Sequence, residues 1–150
     1  MTAPVWTRYI AIGDSFTEGM SDPDPVTTGA YVGWADRLAT SLADLAEADG
    51  RDFGYANLAI RGRLLADITQ RQLPEALDLE PDLVSIVGGG NDILRPRADI
   101  DSLAVQLEEA VMRIRATGAD VLDLVITNAV VMDPMIGEVG QLALQRCLLR

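Results

Sequence analysis

The 150-residue chain carries 12 basic and 23 acidic residues, has no histidine, and bears a net charge of −11. That field repels nucleic acid and anionic membrane surfaces, and 49% hydrophobic against 23% charged residues is the balance of a folded globular protein. Cys147 is the only cysteine, which excludes an internal disulfide, and one thiol without imidazole is a poor basis for a structural zinc site.

The length suits one domain, residues 1–150. A core strand begins within ten residues of Met1, leaving no room for a cleaved signal, and no apolar run nears the roughly 20 residues of a membrane span. The expectation is a cytoplasmic protein.

In chain order, "YIAI" (9–12) reads as a buried strand closed by Gly13. Trp34, Leu38, Leu42 and Leu45 then fall on one face at helical spacing, with Gly50 as the stop. "FGYANLAI" (53–60) is a second strand ending near Asn57 or Leu58. Leu64, Leu65, Ile68 and Leu73 predict a short helix with Pro74 at or past its end. The third strand, 83–87, is stopped by three glycines. Ile100, Leu103, Leu107, Val111 and Ile114 form an apolar stripe with acids at its start and Gly118 closing it. A fourth strand spans 120–127, and a last amphipathic segment runs from about 138 to 149. Strand and helix alternate with no hairpin turns, which predicts parallel strands, right-handed crossovers and helices on both faces of the sheet. Functional residues then gather at the carboxyl ends of the strands.

Three stretches follow strands and so share one rim. In "GDSFTEG" (13–19), Gly13 allows a tight turn, Asp14 flanks it, and Ser15 sits where a helix could start, its N–H free to meet an anion. This is not a Gly-x-Ser-x-Gly elbow, because position 17 is Thr. In "NLAIRGR" (57–63), Gly62 permits a backbone conformation closed to other residues and lets an N–H approach a ligand. In "GGGND" (88–92), Asn91 offers a side-chain amide and Asp92 can brace the loop. Each alone is an ordinary turn signal. Together they supply an attacking hydroxyl and three donors for an oxyanion, which is what acyl transfer from an ester needs.

On these residues the chain resembles the SGNH hydrolases, the GDSL-type esterases and lipases. Ser15 matches the nucleophile of the first block, Gly62 the glycine of the second and Asn91 the asparagine of the third, in family order over about residues 9–127. The resemblance implies an α/β fold, a three-layer α/β/α flavodoxin-like parallel sheet. It also implies ester hydrolysis through an acyl-serine, a small-molecule ester as substrate, and no metal or other cofactor. The family's fourth block, Asp-x-x-His, has no match. Its nearest string is "DPMI" (133–136), with Ile136 in the histidine's place, and Asp133 is read as a loop residue. The expectation is therefore a domain lacking the last strand and helix, altered after about residue 127, and feebly active on its own. Asp14, Glu18 and Asp92 lie near the serine, but nothing in the sequence argues for the elevated pKa a carboxylate base would need.

The alternative is a pseudoenzyme that holds an acyl or acetyl ligand without hydrolysing it. A phosphate- or nucleotide-binding module is a weaker rival, because the glycine turns lack a P-loop lysine. Asp92, Asp99 and Asp101 could suggest a metal, but Arg95 and Arg97 interrupt them and a helix cap accounts for Asp99 or Asp101. Residues 132–136 and the final amphipathic segment could mediate association or cover the sheet. The proline-rich stretch 21–34 is expected to border the pocket.

Overall fold

A computed structural model describes residues 5–123. Strand β1 (Arg8–Gly13) is buried at every residue after Arg8. An apolar strand that hides both faces belongs at the middle of a parallel sheet. It pairs in parallel with β2 (Gly54–Asn57) on one side and β3 (Leu83–Val87) on the other, and β3 pairs in parallel with β4 (Asp120–Asp123). The order is β2-β1-β3-β4. After β1 the chain crosses to β2 on one side, and after β3 it crosses to β4 on the other, which opens a crevice at the carboxyl ends of β1 and β3.

Alternation along the strands divides the core in two. Tyr9, Ala11 and Leu83 pack against Ala35, Ala39 and Leu42 of α2 (Trp34–Ala48). Ile10, Ile12, Val84 and Ile86 face Leu65, Ile68, Leu73 and Ala76, and also Leu103, Leu107, Ala110 and Ile114 of α6 (Ile100–Arg115). Helices on both faces make the three-layer α/β/α fold that the alternation of elements predicts. Asp99 caps α6, its Oδ1 accepting from Ser102 N–H at 3.1 Å.

Three elements differ in detail from the sequence reading. Leu45 of α2 is 61% exposed, and the face toward the sheet is carried by Ala35, Ala39, Leu42 and Ala46. Small side chains let that helix approach closely, so the leucine periodicity misjudged its angle by part of a turn. On α6, Ile100 is exposed and Ala110 holds a core position. Pro74, finally, does not end its helix. The helical run continues from α3 (Leu65–Asp67) through a π-helical turn (Ile68–Gln72) into α4 (Leu73–Asp78). Pro74 is the second residue of α4 and follows the π-helical turn directly, where the hydrogen-bonding register changes.

Residues 124–127 of the fourth strand, Asp133, the 132–136 segment, the amphipathic 138–149 segment and Cys147 lie outside the described residues. Among the described residues no helix is long and apolar enough to cross a membrane.

Candidate active site

Four segments converge at the carboxyl ends of the strands. The first is the exit of β1. Asp14 precedes α1 (Ser15–Glu18) as its N-cap, with Oδ1 accepting from Phe16 N–H at 3.1 Å. Ser15 is therefore the first residue of a helical turn and is half-buried. Among the described residues no side chain hydrogen-bonds its hydroxyl.

The second segment follows β2 alongside the first. Leu58 N–H donates to Ala11 C=O at 2.8 Å and Ile60 N–H to Gly13 C=O at 3.2 Å, extending the β1–β2 pairing beyond the strand itself. Asn57 Nδ2 donates to Thr17 C=O at 2.8 Å. Glu18 then grips Arg61 twice, accepting its backbone N–H at 2.9 Å and pairing with its guanidinium at 3.0 Å. The guanidinium beside it holds the Glu18 carboxyl below its ordinary pKa. Gly62 comes next with φ +74°, a left-handed turn that a side chain would strain although the surrounding space is open.

The third segment follows β3. Asn91 lies in α5 (Gly90–Ile93), and its Nδ2 donates to Arg63 C=O at 3.0 Å and, over a long 3.5 Å, to Asp14 Oδ2. One amide thereby touches both other segments. Asp92 Oδ2 accepts from Leu65 N–H at 2.9 Å, which fastens this loop to the start of α3. An open cleft of about 280 Å³ lies beside it, lined by Leu64, Asp92, Arg95, Arg97, Ser102 and Leu103 among others.

Burial at 7% exposure raises the Asp14 pKa, an effect opposed by the Phe16 N–H and reinforced by the nearby Asp92 charge. A carboxyl beside Ser15 with an upward shift follows from burial and has no signal in the chain. Its oxygens engage Phe16 and Asn91, however, and neither bonds the Ser15 hydroxyl.

The fourth segment was missed in the sequence. Gln72, 5% exposed in the π-helical turn, accepts from Gly13 N–H at 2.8 Å through Oε1 and donates to Gly13 C=O at 2.9 Å through Nε2. The available signal was a polar residue on the core-facing side of its helix, between Ile68 and Ala76. The stretch after α1 also returns to this rim. Pro23 and Tyr31 form an antiparallel bridge, Arg37 pairs with Asp22 at 2.9 Å, and the Phe16 and Trp34 rings lie 6.4 Å apart.

Residues 11–146 match the family model of GDSL-like lipases and acylhydrolases. Among solved structures, TesA is 34% identical, with a TM-score of 0.64 over 80% of this chain and 61% of TesA. The esterase EstA from Pseudoalteromonas sp., solved in a form inhibited by monoethylphosphonate, is 21% identical with a TM-score of 0.58, covering 82% of this chain and 63% of EstA. A catalytic mutant of Axe2, an acetylxylan esterase from Geobacillus stearothermophilus, is 20% identical with a TM-score of 0.59, covering 78% and 58%. The last two similarities speak to fold alone. The chain thus spans about three-fifths of the length of these proteins. No curated protein sequence matches it at a significant level. A four-stranded parallel sheet in the order β2-β1-β3-β4, the rim of three loops and the match over residues 11–146 lead to one assignment: the chain belongs to the GDSL-like lipase/acylhydrolase family.

Proposed function

We propose that the chain carries the nucleophile and oxyanion half of a serine esterase site acting on small-molecule carboxylic esters. Ser15 Oγ attacks the ester carbonyl carbon, and the carbonyl electron pair moves onto its oxygen. Ser15 N–H, Gly62 N–H and the Asn91 amide receive that oxyanion. The Ser15 proton passes through solvent to the leaving oxygen, so collapse expels the alcohol and leaves an acyl-serine for water to hydrolyse. The observation that carries this reading is the Asn91 amide, which bonds the Arg63 carbonyl at 3.0 Å and reaches Asp14, beside Ser15, at 3.5 Å. The long second contact is weak, so that N–H can turn to a substrate oxygen at small cost. Residues 21–34 border the pocket. The Phe16–Trp34 ring contact and the exposed apolar side chains of Phe16, Met20 and Tyr31 support that placement.

The chain has no histidine to take the serine proton. Donors and binding alone leave roughly 10³–10⁴ of acceleration over water in studied triads. The expected outcome is slow hydrolysis. The same absence of imidazole favours a second reading, a pseudoenzyme that holds an acyl ligand without turnover.

An aryl-ester assay and a fluorophosphonate probe separate these readings. With the probe, the Ser15 oxygen bonds phosphorus, fluoride leaves and the proton goes to solvent. p-Nitrophenyl acetate and butyrate should be hydrolysed slowly, and mass spectrometry should find the phosphonyl adduct on Ser15. Ser15→Ala should abolish both. Turnover at ordinary enzyme rates would overturn the weak-activity reading, and hydrolysis or labelling that survives Ser15→Ala would overturn the nucleophile. Saturable binding of an ester analogue, with neither labelling nor turnover, would favour the pseudoenzyme.

A further inference from the structure

The helix that crosses from the second loop back to the sheet departs from α geometry at Ile68–Gln72, and π turns of this kind recur at functional sites. At its end a buried amide reaches across the core to one glycine. Gln72 satisfies both backbone polar groups of Gly13, at 2.8 and 2.9 Å, and no other side chain among the described residues bonds either. Gly13 is also the point where the other segments meet. It pairs with Val87 of β3, accepts from Ile60 N–H of the second loop, and has the Asp14–Ser15 turn attached directly to it. There is no slack at this position, because a Cβ on Gly13 would stand 2.6 Å from Val87 O and 2.8 Å from Thr17 Oγ1.

A buried glutamine is expensive in a core unless its donor and acceptor are both used, and here both are spent on one residue, on the two peptide groups that flank its Cα. Apolar packing alone would hold the helix against the sheet, as Ile68, Leu73 and Ala76 already do. What the amide adds is orientation. Two bonds of opposite direction fix the rotation of the two Gly13 peptide groups, and with them the direction in which the next two residues leave the strand. We infer that Gln72 is a positioning residue for the nucleophile turn, holding Gly13 so that Ser15 Oγ and Ser15 N–H face the same point. This rests on Ser15 being the nucleophile.

The experiment compares the parent chain with Gln72→Met, nearly isosteric but without an amide, and with Gln72→Glu. Two quantities are read: the rate of fluorophosphonate labelling at Ser15, and hydrogen exchange at the Gly13–Ser15 amides against those of β3. Misplacement of a reacting atom by about an ångström can cost 10²-fold, so Gln72→Met should label at least about tenfold more slowly. Its Gly13–Ser15 amides should exchange faster while β3 stays as protected as in the parent. When protonated, the carboxyl introduced by Gln72→Glu offers one acceptor and one O–H donor, the same pair as the amide. Its labelling rate relative to the parent should therefore recover as pH falls from 8 to 5.

A merely structural role would weaken protection throughout the sheet and give no such recovery. Equal labelling rates with unchanged exchange in Gln72→Met would overturn the inference. An unlabelled parent chain would instead overturn the nucleophile reading, and exchange at Gly13–Ser15 would then decide the role of Gln72 by itself.

Discussion

At the amino end of the sheet, Asp82 accepts from Thr7 N–H at 2.7 Å, Thr7 Oγ1 at 2.8 Å and Arg8 N–H at 2.8 Å, while Arg8 reaches the Leu79 and Glu80 carbonyls. At the carboxyl end, Asp14 has one backbone donor at 3.1 Å and a stretched contact to Asn91 at 3.5 Å, and it is more deeply buried. Both aspartates tie the start or end of β1 to its surroundings, yet one is fully served by short donors and the other is not. The difference separates a closure that only holds strands together from one that keeps polar groups free. The donor that reaches Asp14 over 3.5 Å, the Asn91 amide, is only weakly held there and so stays available to another acceptor.

The sharpest way to break that contrast is Asn91→Ala. Loss of an oxyanion donor costs about 3 kcal/mol of transition-state stabilisation, so Ser15-dependent ester hydrolysis should fall about a hundredfold with little change in Tm. An unchanged rate would remove Asn91 from the site. Asp82→Ala should act in the opposite way. Three bonds to a carboxylate disappear at the far end, and stability should drop by about 2–3 kcal/mol in urea denaturation, while the labelling rate of Ser15 in the folded protein stays the same.

Asp123→Asn sharpens the comparison from a third place. Asp123 Oδ1 is buried without a partner among the described residues, and burial pushes the carboxyl up to about 6. The folded pKa lies above the unfolded one, so protonation favours the fold. The contribution is complete below about pH 4 and is lost as pH rises through about 6. The variant should be more stable than the parent above pH 6, by about 1–3 kcal/mol, and should lack that part of the decline in Tm between pH 4 and 6. A parent Tm that stays level across this window would show that the carboxyl has a partner in solution.

The alternation of elements and the residues of the three loops could be read from the chain, and they led to the correct fold and family. Ser15, Gly62 and Asn91 could be singled out as candidates because each stands in a short string whose glycines and strand-end position are local properties. The face of α2 was not legible, because alanines carry its contact and a count of leucines points elsewhere. Pro74 was misjudged for a related reason: a proline is a stop by itself, and only the preceding π-helical turn lets the helix run on.

What the sequence determined by itself are the periods: apolar runs buried on both faces, amphipathic stripes, and glycines that free the backbone. These need only nearest neighbours along the chain. Only the tertiary structure decided that Gln72 meets Gly13 across 59 positions, that Asn91 reaches Asp14 across 77, and that burial raises the pKa of Asp14. Each depends on the sheet order β2-β1-β3-β4 bringing distant segments within hydrogen-bond reach and excluding water from between them, and neither effect has a local signature in the chain.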